Sequence, residues 1–382
     1  MTKIKLLAFN RGYPIESAIV KRIHHLFEEL LNNDIQIKVI SIRDNEKIKK
    51  EEGVHKGIKY VRIGSGLSYK IGHLHLNFIG LLRVLFIIFS FKEKKAKNVL
   101  YTGGMNIENF IFILFAKLMG YKIIFDIVED FTSFTDEVKL ISKFKFWTTV
   151  KFTRLNVLVS NSIIVISTFL FQKYKNINAT NITLIPITAK IQSNLKKKTS
   201  FNKIFTIIYV GTFAGKDGVD FIIDGFIKFN KIITDSKLYL IGSGIRQQKY
   251  KKKYVANRNI EFTGFIPDEE YYPFIQKADV LCMCRNNSEF ANAGFPFKLG
   301  EYLATGNPVI ATRVSDVEVY LSPESAYLIE PEKEQQFIDT LFSIRNNPTE
   351  AFCVGLNGLN ICAKYFDIKK NSQLFLDVVT RL

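Results

Sequence analysis

The chain has 382 residues, 47% of them hydrophobic and 23% charged, which is long enough for two domains with sizeable cores. Its formal net charge of +17 lies in one half: residues 1–200 hold 32 Lys and Arg against 15 Asp and Glu, while residues 201–382 hold 21 against 21. That asymmetry points the first half toward an anionic partner or marks a lysine-rich surface without one, and four cysteines without a C-x-x-C pair indicate neither a disulfide framework nor a zinc site and suit a reducing compartment.

The N-terminal run MTKIKLLAFNRG is too short for a signal peptide and predicts a buried strand over Lys3–Phe9. A turn over Asn10–Pro14, with Gly12 inside it, leads to a helix over about Ser17–Asn32 carrying apolar residues at Ile19, Ile23, Leu26, Leu30 and Leu31. A second strand follows at Ile35–Ser41. Leu76–Phe91 is the longest apolar stretch, 16 residues interrupted by Arg83, and falls short of the roughly 20 needed to cross a bilayer. Lys92, Lys94, Lys95 and Lys97 follow it. It reads either as a helix buried in the first domain or as one lying in a membrane interface. Strands at Val99–Tyr101, Lys122–Phe125, Ser162–Ile166 and Thr183–Ile185, with helices near 106–119 and 139–158, complete one Rossmann-like unit.

Asp126, Glu129 and Asp130 follow the strand Lys122–Phe125. Carboxylates at a strand's end can orient an acceptor hydroxyl or take its proton, or they can cap the next helix. The five histidines, His73 and His75 included, show no metal-site spacing, and no Asp-x-Asp pair occurs.

Ala189–Lys203 is polar, basic and aperiodic and reads as a linker; its run Lys196–Lys198 is either part of an anion-binding face or merely solvated. A second strand and helix series begins at Ile204. Strand Ile207–Val210 closes on Gly211, whose missing side chain lets a ligand approach the backbone, and Lys216 comes five residues later. Strand Leu238–Ile241 ends in Gly242-Ser243-Gly244, and the run Lys251–Lys253 reads as a solvated face. Cys282-Met283-Cys284 sits in an apolar strand, where cysteine acts as a small hydrophobe. In GFPFKLGEYLATGNPVIAT, Gly294–Thr312, a turn marked by Gly294 and Pro296 feeds a helix starting near Phe297 or Lys298. The N-terminus of that helix suits a phosphate, and Lys298 and Glu301 project from about the same helical face. Gly306 and Pro308 end the helix, Val309-Ile310-Ala311 reads as a buried strand, and Phe366–Leu382 as a final helix.

These motifs, in this order, resemble the donor-binding half of retaining GT-B glycosyltransferases of the large bacterial family 4 type. The similarity is carried by IIYVGTFAGKDGVDFIIDGF (207–226), LYLIGSG (238–244), IEFTGFIPDEEYYPFIQKADVLCM (260–283) and Gly294–Thr312, and is dense over about 205–325. The resemblance implies an α/β protein of two Rossmann-like domains facing across a cleft: an acceptor domain over 1–188, a linker over 189–203, a nucleotide-sugar domain over 204–365, and a helix over 366–382 that crosses back to the first domain. It also implies that Glu301 holds the ribose hydroxyls, that Lys216 and Lys298 offset the donor diphosphate, and that Gly12, Gly211, Gly242, Gly244, Gly294, Phe295, Pro296 and Phe297 line the donor site. Asp130, then Asp126, are the candidate catalytic carboxylates.

Three positions depart from the family pattern. Ala293 stands where a second glutamate contacts the donor sugar, so that either Asn292 and backbone groups take over that task or the sugar is one whose hydroxyls do not need the carboxylate; Thr212 stands for a phosphate-binding arginine; and the first domain lacks the histidine that many members carry near Asp126. The implied activity is transfer of a sugar, with retention, from a nucleoside-diphosphate donor to a lipid-linked or polysaccharide acceptor in surface-polysaccharide assembly. No metal or other cofactor is expected. The implied setting is cytoplasmic, peripheral on the inner face of the cell membrane, with an anionic membrane surface as partner and no nucleic acid. A non-catalytic partner subunit of the same fold and a sugar-nucleotide epimerase are the alternatives.

Overall fold

The computed structural model describes residues 3–15, 17–42, 52–63, 78–130, 140–177, 181–193, 195, 198–244 and 246–382, with the backbone alone for 140–146. His73, His75, Lys196, Lys197 and the first two residues of the apolar stretch lie outside the described residues. The chain divides into two compact units, Met1–Pro186 together with Ile368–Leu382, and Ile187–Asp367.

In the first unit the strands are β1 (Ile4–Asn10), β2 (Gln36–Ser41), β3 (Glu52–His55), β4 (Ile58–Arg62), β5 (Lys97–Thr102), β6 (Lys122–Ile127), β7 (Ser162–Val165) and β8 (Ile182–Leu184). They form one sheet in the order β3-β4-β2-β1-β5-β6-β7-β8, parallel except for β3 against β4. The β3–β4 pair carries little sequence signal because its four- and five-residue strands are interrupted by charge. Its one local mark is Lys56-Gly57, both at positive φ, the conformation of a tight hairpin turn.

The helices are α1 (Ala18–Asn32), α2 (Phe78–Phe91), α3 (Ile107–Leu118), α4 (Leu140–Val159) and α5 (Thr168–Lys175). Ser17 caps α1 by accepting from the Val20 amide, and Asn106 caps α3 by accepting from the Asn109 amide. Burial of both sheet faces explains the continuous apolar runs of β1, β5 and β6. On one face Leu26, Phe27 and Leu30 of α1 pack with Leu6, Ala8 and Val39. On the other, Val84 and Ile88 of α2 and Phe112 and Ile113 of α3 pack with Leu7, Phe9 and Leu100.

The second unit holds β9 (Phe205–Val210), β10 (Ser236–Ile241), β11 (Ile260–Gly264), β12 (Val280–Met283), β13 (Val309–Thr312) and β14 (Tyr327–Ile329), in the parallel order β11-β10-β9-β12-β13-β14. Its helices are α6 (Val219–Asn230), α7 (Gln247–Lys253), α8 (Asp268–Gln276), α9 (Glu289–Ala293), α10 (Phe297–Leu303), α11 (Val317–Tyr320), α12 (Glu334–Asn346) and α13 (Pro348–Ile361). Both units are thus α/β sheets of Rossmann type. The last helix, α14 (Ile368–Arg381), packs on α1 of the first unit, with Phe375 stacked on Phe27 at a centroid distance of 5.4 Å. Of the segment 189–203, Ala189 pairs with Asp367, and Lys198 and the Asn202 amide and side chain bind the buried Asp279, all within the second unit.

Candidate functional site

In the second unit the chain runs from β9 outward to β11 on one side and from β12 outward to β14 on the other, so β9 and β12 flank the point where strand order reverses. The carboxyl ends of strands at such a point leave a crevice for ligands. Here the loops after β9, β10 and β12 converge. A Cβ at Gly242, whose φ is +118°, would lie 2.0 Å from the Gly211 carbonyl oxygen, and one at Gly244 would lie 1.7 Å from that of Thr212. Gly211 itself leaves the space occupied by the Tyr209 hydroxyl and the Lys298 ammonium, which a Cβ would meet at 2.2 and 2.7 Å. These glycines therefore let two backbones and a lysine close together, a stricter demand than the ligand approach read from sequence.

At the centre is a charged cluster. Lys298 Nζ lies 3.3 Å from Asp217 Oδ1 and 3.3 Å from the Tyr209 hydroxyl, and 4.4 Å over the Tyr209 ring. Burial depresses the Lys298 pKa, and the attraction of Asp217 only partly offsets it. For Asp217, burial pushes upward, but the charges of Lys298 and Arg285 and the hydrogen bonds from Tyr209 and Lys298 together outweigh it and hold the carboxyl below its ordinary value. Burial, then Asp217, keep the Tyr209 phenol protonated far above its usual range. Lys216 sits with its ammonium 4.1 Å over the Phe290 ring and is close enough to add to the depression of Lys298. Arg285, buried, donates to the carbonyls of Ala291 and Gly294 and so braces the loop before α10.

One turn on from Lys298, Glu301 is buried and accepts a 2.7 Å hydrogen bond from the Tyr271 hydroxyl of α8. Gly294 is extended, Pro296 caps α10, Phe297 opens it, and Phe295 is buried against Tyr320 at 5.5 Å. Asn292 is committed to the loops: its amide nitrogen donates to Asn287 Oδ1 and the Ser288 carbonyl, and its oxygen accepts from the Ser315 amide. Both amide hydrogens are thus used within the loops, which leaves the oxygen, accepting one bond from Ser315, as the atom of Asn292 that could still meet a sugar hydroxyl. Ala293 is fully buried.

The first unit has its own reversal point, between β1 and β5. Gly12, with φ +84°, lies just beyond β1, and a Cβ there would meet nothing within 4 Å. Asp126 and Asp130 follow different fates. Arg22 Nε donates to Asp126 Oδ2 at 2.8 Å and Nη2 to Oδ1 at 3.1 Å, the Tyr101 hydroxyl also donates to Oδ2, and Arg22 goes on to the carbonyls of Ile185 and Pro186. Both carboxylate oxygens of Asp126, the second-choice catalytic carboxylate, are bound by a fully desolvated guanidinium, so in this structure it braces Arg22. Asp130, also buried, pairs with Lys173 of α5.

Sequence reading missed Tyr209, Asp217, Arg285 and Tyr271, which hold the recognised residues in place. It also passed over Gly103-Gly104, at the end of β5, where a Cβ on Gly103 would lie 2.9 Å from the Asp126 carbonyl. The glycine doublet after an apolar strand was a usable signal. Among the described residues no group of His, Cys, Asp or Glu has the makings of a metal site.

The family described as "Glycosyl transferases group 1" matches residues 204–347, the unit that carries the charged cluster. No curated protein matches the chain. Solved structures match along its whole length at low identity. Sucrose-phosphate synthase from Thermosynechococcus elongatus is 15% identical, covers 99% of both chains and has a TM-score of 0.75. Anabaena HepE, solved with UDP and glucose, is 14% identical over 99% of this chain and 100% of that one, with a TM-score of 0.75. A glycosyltransferase from Rickettsia africae is 14% identical over 100% and 99%, with a TM-score of 0.70. The fold is therefore that of the GT-B glycosyltransferases.

Proposed function

We propose that the chain is a retaining glycosyltransferase that moves a sugar from a nucleoside-diphosphate donor to a hydroxyl of a lipid-linked or polysaccharide acceptor, working in surface-polysaccharide assembly at the inner face of the cell membrane. The observation that carries this reading is the placement of Lys298, Lys216 and Glu301 on one strand-end crevice, with Lys298 held by Asp217 and Tyr209, and Glu301 by Tyr271. Two cations beside a glycine-tight backbone crossing suit a departing diphosphate. A buried glutamate three residues from Lys298 suits the paired hydroxyls of a ribose.

Most of the rate would then come from positioning and from stabilising the leaving group, because a bound diphosphate would meet charges already fixed in a dry site. Asp130 is the carboxylate assigned to orient the acceptor hydroxyl. HepE was solved with UDP and glucose, which makes UDP-glucose the first donor to test.

Calorimetry with UDP, followed by a donor-hydrolysis and transfer assay across common nucleotide sugars, tests the proposal. UDP or another nucleoside diphosphate is expected to bind, and one sugar nucleotide to turn over with retained anomeric configuration. No binding of any nucleoside diphosphate would sink the reading. A second reading, a non-catalytic subunit of the same fold, draws on Ala293 and on the occupied Asp126; it expects nucleotide binding without turnover.

A further inference from the structure

Helices α2, α3 and α4 share one face of the first sheet. Gly80, Val84 and Ile88 of α2 recur at four-residue spacing and turn inward. The opposite side exposes Leu82, Phe86 and Phe89, the last two at 67% and 59%, where a surface helix ordinarily carries polar residues. Next to α2, Leu118 on α3 is 87% exposed. On α4, Trp147, Lys151, Arg154 and Leu158 fall on one side of the helix; Trp147 is 56% exposed and Lys151 lies 4.9 Å over its ring.

Apart from Glu93, which pairs with Lys3 and Lys5, the charge on this face among the described residues has one sign. Neither α2 nor α4 contains an acidic residue, Glu108 of α3 is buried, and residues 138–216 hold no Asp or Glu. Each of the three helices joins parallel strands, so all run the same way and end at the same edge. There Lys92 comes near Gly120, just past α3, where a Cβ would be 3.7 Å from its ammonium, and Lys117 donates to the Val159 carbonyl at the end of α4. Lys94 and Lys95, exposed, follow just after α2, past Lys92 and Glu93.

We propose that this helical face docks the protein on an anionic lipid bilayer, the exposed aromatic and aliphatic side chains entering the boundary between headgroups and acyl chains and the lysines meeting the phosphates. With 14 residues α2 is about 21 Å long, too short to cross a hydrocarbon core of about 30 Å, and its buried side is already used by the core. Among the described residues no helix is long and apolar enough to cross a membrane. A second copy is a poorer occupant, because a two-fold contact would set lysines against lysines, with Glu93 among them already paired to Lys3 and Lys5. The inference deepens the membrane side of the function proposed above, and its test uses neither nucleotide nor sugar, so the two can fail separately.

Trp147 is the only tryptophan in the chain and reports on this face directly. The full-length protein is titrated with phosphatidylcholine vesicles, with and without phosphatidylglycerol, while Trp emission is followed. A blue shift, and quenching by lipids brominated in their acyl chains, are expected with the anionic vesicles alone. The double variant Phe86→Glu/Phe89→Glu should keep its melting temperature, since both side chains are exposed, and bind about tenfold more weakly or worse. Lys94→Glu/Lys95→Glu should weaken binding at low salt and make little difference at high salt. Unchanged Trp emission with anionic vesicles, undiminished binding by the phenylalanine variant, or a dimer that this variant dissociates would each overturn the proposal.

Discussion

Glu301 and Tyr271 form the contact on which the donor-site reading turns most directly. Glu301→Gln keeps the size and removes the charged acceptor, so nucleoside-diphosphate affinity should fall by roughly 1.5–3 kcal/mol, and Tyr271→Phe should cost less because it removes only the orienting hydroxyl. Calorimetry that finds both variants binding as tightly as the parent would remove Glu301 from the site. Lys298 and Asp217 make a sharper pair. Asp217→Asn leaves a buried ammonium without its counter-charge, and about 3 kcal/mol of stability is expected to go, read as a lower urea midpoint. His24 gives the pH dependence. Burial, then the charges of His55 and Lys56, lower its pKa to about 4, and its Nε2 is buried without a hydrogen-bond partner among the described residues. The unfolded chain, with a pKa near 6.5, takes the proton first as the pH falls; the contribution is intact above about pH 6.5 and is lost toward pH 4. Allowing for partial solvent screening, that loss is about 1–2 kcal/mol. The difference in urea midpoint between pH 7 and pH 5 should therefore shrink in His24→Gln, and an unaltered difference would rule out His24 as its source.

Among the elements, β6 and the segment just after it carry two carboxylates, Asp126 and Asp130, that look alike in sequence and differ in the fold. Asp126→Asn loses the paired charge opposite Arg22, and about 3–5 kcal/mol of destabilisation is expected, because the guanidinium stays buried between the Ile185 and Pro186 carbonyls. Asp130→Asn should instead reduce turnover more than stability if it orients the acceptor, since its partner Lys173 is partly exposed and can turn to water. Thermal melts beside kcat for the two variants separate these roles, and the opposite ranking would exchange them. Helix α10 shows the complementary case. Its start at Phe297, its cap at Pro296 and the left-handed Gly306 after it follow from local turn chemistry, and the expected boundaries match the observed helix to within a residue at its start.

At the scale of the whole molecule, the last helix belongs to the first unit although the chain reaches it from the second. Phe375 and Val379 are completely buried there, and Val378 nearly so. Phe375→Ala should cost about 3–5 kcal/mol, by loss of transfer energy and by the cavity left against Phe27 and Tyr101. That loss should appear in the melting of the first unit, followed by hydrogen exchange on β1 and α1, and leave protection of β9 and β12 intact. Equal loss of protection in both units would mean that they unfold as one.

The alternation of strands and helices, the glycines that end β9 and β10, and the run from Gly294 to Thr312 were all legible from residues near one another in the chain. Periodicity and turn conformation depend on neighbours a few positions away, so sequence determines them alone. The partners of the charged residues were not legible. Arg22 reaches Asp126 across 104 positions and Asp217 reaches Lys298 across 81, and only the folded sheets bring them within hydrogen-bonding distance. Sequence likewise showed that 78–91 is apolar but not that Val84 and Ile88 take the core while Phe86 and Phe89 stay outside. That choice depends on how much of that sheet face is left to cover once α3 and α4 are in place. Which carboxylate meets an arginine and which a lysine, and which apolar side of a helix faces outward, are decided by desolvation and by distances between segments remote in sequence.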